Sequence, residues 1–325
     1  MANFVVAANV IPRANFPLHF PDAVVSVLAM KRIALILALF LALTVASTTL
    51  RAADYKRTED VVYGRKFGTA LTLDVIQPER PNGAGIIFMV SGGFFSSHEA
   101  INPDDYKPFL DHGYTVFAVV HGSQPRFIIP EIIEDVQRAS RFIHLHAREY
   151  AVDPNKLGVT GASAGGHLSL TLGTRGGPGK ADAKDPVDRA SSAVAAVACF
   201  FPPTDFANWG ALGDDAVGFG TTIKFKPAFG PRSDTAESRQ ALSREISPIH
   251  FVHSNMPPTL ITHGDADKLV PIYQAQIFEK RALEFGNNIK IIVKPSKDHG
   301  WVGMDKDMEV FAQWFDEHLL GKTAK

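Results

Sequence analysis

Residues 158–170 read GVTGASAGGHLSL, with four glycines and two alanines gathered around one serine before an apolar helical stretch. The apolar strand pattern KLGVTG (156–161) leads into it. A strand that turns sharply into a helix through G-x-S-x-G holds its serine in an unfavourable backbone conformation and exposes the hydroxyl. Side chains two residues to either side would collide with neighbouring elements, which explains glycine at 161 and 165. Ser163 is therefore a candidate nucleophile at the carboxyl edge of a sheet. The N–H of Ala164, at the helix start, is a candidate donor to a developing oxyanion. Taken alone, these five residues also fit a tight glycine turn without chemistry.

The surrounding chain decides between the two. VVYGRKF (61–67) and ALTLDVIQP (70–78) alternate by two and are joined by a glycine-containing turn, so they read as an antiparallel pair. GAGIIFMVS (83–91), YTVFAVV (114–120), KLGVTG, AVAAVACF (193–200), PTLITHG (258–264) and IKIIVKP (289–295) are continuous apolar runs, as in strands buried on both faces. Between them lie helical patterns, notably from Pro130 through residue 150, over 271–285 and over 307–320. Strands alternating with helices imply an α/β fold, a mostly parallel sheet of about eight strands covered on both faces. Residues 206–247, rich in glycine and aromatics and without a clear strand, read as a lid-like insertion.

A hydroxyl needs a base, and the base an acid, in the chain order Ser, Asp or Glu, His. LITHGDADKLVP places carboxylates just past one buried strand, and VKPSKDHGWVG places His299 just past the last. His299 is the candidate base. By position Asp265 and Asp267 are both candidate acids, and Asp205 in FPPTDF is a third.

Four motifs carry a family resemblance: GASAGGHL, HGDADKLVP, DHGW and SPIHFVHSNMPPTLITHG. From about residue 60 onward the chain resembles an α/β-hydrolase, in the branch of hormone-sensitive-lipase-like carboxylesterases, secreted carbohydrate esterases and prolyl-oligopeptidase-like hydrolases. The resemblance implies that Asp267 is the acid, with Asp265 a neighbour. One motif departs. Where the family carries H-G-G-G, this chain has SGGFF (91–95), so Ser91 replaces the histidine and Phe94 the last glycine. Backbone donors need no particular side chain, and the resemblance points to the N–H groups of Gly93 and Phe94 beside that of Ala164. The family's Tyr-Arg-Leu motif is replaced by VVHGSQPRF, which makes the surroundings of His121 and Arg126 unusual.

The bulk numbers fit this picture: 325 residues, 46% hydrophobic, 21% charged, net charge −1. No charge excess points to nucleic acid or an anionic membrane. The single cysteine, Cys199, lies in an apolar run and reads as a buried structural thiol. His167 reads as a packing residue, and His144 and His146 lie on different helix faces, unsuited to a shared metal. His98 and Glu99 read as solvated loop residues. Trp209 reads equally well as a lid residue or as ordinary packing. From Met30, MKRIALILALFLALTVASTTLRA has the charged start, short apolar run and small-residue end of a secretory signal (30–52), with a retained anchor as the rival. Residues 1–29 read as an upstream extension, and 53–325 as the hydrolase domain.

The expectation is thus a secreted or periplasmic serine hydrolase acting on carboxylic esters, small or polysaccharide-linked, such as acetyl or feruloyl esters. No metal or organic cofactor is implied, and no stable membrane insertion after signal removal. The alternatives are a prolyl-oligopeptidase-like peptidase, whose relatives usually carry an extra domain for which the chain leaves no room, and a binding protein on a hydrolase scaffold.

Overall fold

The computed structural model describes residues 55–322; the proposed extension and signal segment lie outside them. β1 (Tyr55–Lys66) and β2 (Thr69–Pro78) pair antiparallel. β3 (Gly85–Met89), β4 (Thr115–Val119), β5 (Leu157–Ala162), β6 (Ala196–Phe200), β7 (Thr259–Gly264) and β8 (Ile289–Lys294) follow along the chain. They form one sheet of eight strands, ordered β1-β2-β4-β3-β5-β6-β7-β8. β2 also runs antiparallel to β4, and every neighbouring pair from β4 to β8 is parallel.

The continuous apolar runs are explained by two cores, one on each face of the sheet. Successive side chains of a strand point to opposite faces. In β4, Phe117 and Val119 join one core, while Val116 and Ala118 join the other. In β6, Val197 and Cys199 face one way, and Ala196, Ala198 and Phe200 the other. Cys199 is fully buried, and burial pushes its thiol pKa up, as befits a packing residue.

Five longer helices cover these faces: α1 (Ile129–His146), α2 (Ala164–Arg175), α3 (Ala236–Ile246), α4 (Tyr273–Glu284) and α5 (Met304–Leu320). α1 starts with Pro130 in its first turn, and the Ile128 N–H donates to Glu131 Oε2 at 2.9 Å. Its Ile132, Val136 and Ile143 enter the first core, with Leu168 and Leu172 of α2 and Phe278 of α4. Phe311, Phe315 and Leu319 of α5 fill the second. Among the described residues no helix is long and apolar enough to cross a membrane.

The 206–247 stretch has no strand, yet it is not wholly irregular. α3 lies at its end, capped by the Thr235 hydroxyl, which accepts from the Ser238 N–H at 3.2 Å. Only Leu242, Ser243 and Ile246 of α3 are buried, too few apolar positions for a helical period to stand out in the sequence.

Two buried histidines make stability depend on pH. His121 and His167 are 2% and 0% exposed, and burial lowers each pKa to about 4. Below about pH 6.5 the unfolded chain binds these protons while the folded chain stays neutral until about pH 4. Folding free energy is therefore expected to fall across that window by roughly 3 kcal/mol per histidine. Thermal melts at pH 7.5, 6, 5 and 4 check this, and a flat profile would contradict two neutral buried imidazoles.

Candidate active site

The elbow forms because both of its glycines are bare. β5 ends at Ala162, Ser163 takes φ +56° and ψ −116°, and α2 begins at Ala164. A Cβ on Gly161 would lie 2.7 Å from the carbonyl carbon of Gly165. One on Gly165 would lie 2.8 Å from the carbonyl oxygen of Met89, at the end of β3. The turn is pinned from the other side, where the Ser163 N–H donates to the carbonyl of Phe200 at the end of β6, 3.0 Å away.

Ser163 Oγ lies 2.9 Å from His299 Nε2, and His299 Nδ1 lies 2.7 Å from Asp267 Oδ2. Burial pushes the Asp267 carboxyl up, but hydrogen bonds from His263, His299 and the Val270 N–H outweigh it and hold the group well below the usual carboxylate range. An ionised carboxylate only accepts, so Nδ1 carries the imidazole proton and Nε2 is free to accept from the Ser163 hydroxyl. The other oxygen, Asp267 Oδ1, accepts from the N–H groups of Leu269 and Val270, both at 2.9 Å. Asp298 ties the two loops together, its Oδ1 accepting from the Lys268 N–H at 3.0 Å and the His299 N–H at 2.8 Å. The ring of Phe201 packs against the imidazole with centroids 4.4 Å apart.

The other two acids have local partners. Asp265 Oδ1 accepts from the Ser296 N–H at 2.6 Å. Asp205 closes its own loop, accepting from the Ala207 N–H at 3.0 Å and Asn208 Nδ2 at 2.8 Å. Only Asp267 meets His299.

The loop of residues 91–95 folds back on itself, with Gly92 and Phe95 exchanging N–H···O bonds of 3.0 and 2.9 Å. Among the described residues, the N–H groups of Gly93, Phe94 and Ala164 have no protein acceptor, and all three residues border the space beside Ser163. A strap from the end of β4 fixes this loop. Gln124 Nε2 donates to the Gly93 carbonyl at 2.5 Å, and the Gln124 N–H to the Phe94 carbonyl at 3.2 Å. His121 Nδ1 donates to the Gly122 carbonyl at 2.8 Å, so its Nε2 must accept, and it takes the Ser91 hydroxyl at 2.8 Å. Arg126 turns outward to the carbonyl of Phe67, 2.6 Å from its Nη2.

Sequence reasoning missed Gln124, Phe201 and His263. Fully buried His263 donates from Nε2 to the Val270 carbonyl at 2.8 Å, and the same nitrogen lies 3.5 Å from Asp267 Oδ2. It braces the acid loop from behind. Its place in the HGDAD segment was the available signal.

The remaining histidines have separate partners. His167 Nε2 donates to the Ile246 carbonyl at 2.7 Å, inside the core. His144 donates to the Ala193 carbonyl at 2.6 Å, and His146 pairs with Glu149 at 2.7 Å. His98 differs from its solvated-loop reading: it lies 3.3 Å from Asp60 and 3.6 Å from Asp74. Arg57 bonds the same Asp74 at 2.6 Å and lies 3.3 Å from Glu59, so the His98 imidazole sits beside an ion-pair network. Trp209 is packed inside, its Nε1 donating to the Leu269 carbonyl at 3.1 Å.

A mostly parallel eight-stranded sheet, helices on both faces and a serine elbow at its carboxyl edge define an α/β-hydrolase fold. The BD-FAE family model matches residues 73–282, more than half of the chain, and the chain belongs to that family. It is 28% identical over 234 residues to the probable carboxylic ester hydrolase LipM of Mycobacterium tuberculosis, covering 69% of this chain and 51% of that one. It is 26% identical over 250 residues to an acetylxylan esterase of Xylanibacter ruminicola, covering 74% of this chain and 44% of that one. The chain thus spans about half the length of the curated relatives it matches. Among solved structures, a truncated carbohydrate esterase from gut microbiota superposes with a TM-score of 0.69 at 26% identity, covering 81% of this chain and 98% of that one.

The strap generates a stability prediction. Ser91→Ala removes the donor to a buried imidazole nitrogen and leaves that acceptor unpaired. The loss is expected to be about 1–3 kcal/mol, read by urea unfolding at pH 7.5. An unchanged midpoint would contradict the buried bond.

Proposed function

We propose that this protein hydrolyses carboxylic esters through an acyl-enzyme on Ser163. The observation that carries the reading is the hydrogen-bonded row Ser163–His299–Asp267 beside three backbone N–H groups that have no acceptor among the described residues. In the first step Ser163 Oγ attacks the ester carbonyl as its proton passes to His299 Nε2. The carbonyl oxygen becomes an oxyanion held by the N–H groups of Gly93, Phe94 and Ala164. The tetrahedral centre collapses, the carbon–oxygen bond to the alcohol breaks, and His299 protonates the departing oxygen. Water, deprotonated by the same imidazole, then releases the acid and regenerates Ser163. Asp267 keeps the imidazole in the working tautomer and stabilises the imidazolium, a role suited to its depressed pKa.

Kinship with proteins named carboxylic ester hydrolase, acetylxylan esterase and carbohydrate esterase supports the reaction class, and supports acyl esters on carbohydrates as the substrates. The charged, apolar and small-residue order of residues 30–52 supports export, which would bring the enzyme to extracellular glycans.

With p-nitrophenyl acetate, Ser163→Ala is expected to lower kcat by about 10⁴-fold or more while leaving the thermal midpoint near that of the native protein. Native-like turnover in folded Ser163→Ala would sink the reading. Asp267→Asn keeps the shape but reverses the imidazole's hydrogen-bonding demand, and kcat is expected to fall by about 10⁴-fold. A loss of less than tenfold would remove Asp267 from the proposed role.

A further inference from the structure

A tetrahedral carbon on Ser163 Oγ has three other substituents, and the surroundings assign each a direction. The oxyanion belongs with the N–H groups of Gly93, Phe94 and Ala164. The leaving oxygen must lie against His299 Nε2, because it receives that proton. The acyl chain takes what remains. An apolar pocket opens from Ser163, bordered by Gly93, Phe94 and Ala164, and His299 is not among its walls. It is therefore on the acyl side.

Aromatic rings wall the pocket: Phe94, Phe206, Trp209, Phe225 and Phe229. Besides Ser163, the polar side-chain groups there are the Thr222 hydroxyl, already bonded to the carbonyls of Ala216 and Phe219, and the Trp209 N–H, bonded to that of Leu269. A carboxylate or hydroxyl on the acyl group would find no free side-chain partner and would lose its hydration. The cavity volume is about 20 Å³. About 10–15 Å³ on that measure holds one water. The space suits a methyl or ethyl group, and a long alkyl tail or an aromatic ring would have to displace a wall or run out through the mouth.

Most of the walls are fixed. Phe206 stacks on Trp209 at 5.5 Å and meets Phe229 edge-on at 5.2 Å, and all three are buried. Phe225 differs. It is half-buried, comes from the insertion, and bears directly on Gly93, where any Cβ would overlap its ring. It is the wall that joins the insertion to the loop carrying two of the candidate oxyanion donors.

We infer that the acyl group is short, saturated and uncharged, acetyl above all, and that Phe225 is the residue that sets the length limit. The inference rests on the ester-hydrolase reading and narrows it, favouring acetyl over feruloyl esters. The test compares kcat/KM for p-nitrophenyl acetate, butyrate and octanoate, which share one leaving group, in the full chain, Phe225→Ala and Phe225→Leu, with Ser163→Ala as blank. The unsubstituted protein is expected to prefer acetate over octanoate by about 100-fold or more. Phe225→Ala is expected to narrow that ratio by about tenfold or more, with Phe225→Leu in between. If the unsubstituted protein turns over octanoate as readily as acetate, the length limit is wrong. If the limit is present but unchanged in both folded variants, Phe225 is not its cause. Failure of the unsubstituted protein to cleave any of the three esters would instead remove the ester-hydrolase reading on which the inference stands.

Discussion

The close approach of β5 and α2 at Ser163 is the constraint on which the site depends. No side chain fits at Gly161 or Gly165, because each Cβ would come within 2.8 Å of backbone. That closeness forces Ser163 to φ +56°, a conformation costing about 1–3 kcal/mol for a residue with a side chain. The strain is held by partners on both sides, the end of β3 and the end of β6. It leaves the hydroxyl facing His299 and the first N–H groups of α2 facing the same space. A looser turn would relax the backbone and move the Ser163 hydroxyl away from His299.

Two of the proposed oxyanion donors, the N–H groups of Gly93 and Phe94, lie on the loop after β3, where Ser91 stands in place of the histidine of the family the chain resembles. Rigid donors stabilise charge only if they need not reorganise when it appears. Here rigidity comes from Gln124 and His121, reaching across from the end of β4. Phe94 pays a backbone penalty at φ +65°, where glycine would sit easily. Its ring is 4% exposed and lies edge-on to His167 at 5.4 Å. Burying a phenylalanine contributes about 1.5–3 kcal/mol, which offsets a left-handed residue of about 1–3 kcal/mol. The loop is therefore held by packing as well as by hydrogen bonds, and it gains an aromatic wall that a glycine could not supply.

Much of this was legible in the sequence because it is written in local patterns. Each of the eight strands contains an alternating or continuous apolar run, and in central strands such as β4 and β6 burial on two faces demands apolar residues throughout, whereas the edge strands β1 and β8 are largely half-exposed. Ser163, Asp267 and His299 meet in space in the expected chain order, because each follows a strand whose carboxyl end lies on the same sheet edge. What stayed hidden depends on partners distant in sequence. Position could not separate Asp265 from Asp267, because the difference is a single contact to His299 across 32 residues, and only the resemblance chose between them. The strap from His121 and Gln124 involves hydrogen bonds to residues about thirty positions earlier. Helix α3 and the pocket residues Phe206, Trp209, Phe225 and Phe229 lie in a segment with no dominant period, where beyond the Thr235 cap tertiary packing decides the conformation.

The insertion and the acid loop form one mechanical unit. Gln274, fully buried on α4, accepts from the N–H groups of Thr204 and Asp205 and donates to the carbonyls of Asn208 and Trp209. Trp209 in turn donates to the carbonyl of Leu269, two residues beyond Asp267. Its ring walls the proposed acyl pocket, so any change at Trp209 reaches both that pocket and the loop that holds Asp267. Such a change cannot distinguish a role in substrate fit from a role in positioning Asp267. Among the described residues Phe225 has no side-chain hydrogen bond to the loop of Asp267, and its ring bears on Gly93. On the proposed reading, a change at Phe225 alters substrate fit without breaking a hydrogen bond to the loop of Asp267, so its effect on acyl-length preference is read as a ratio between esters that share one leaving group.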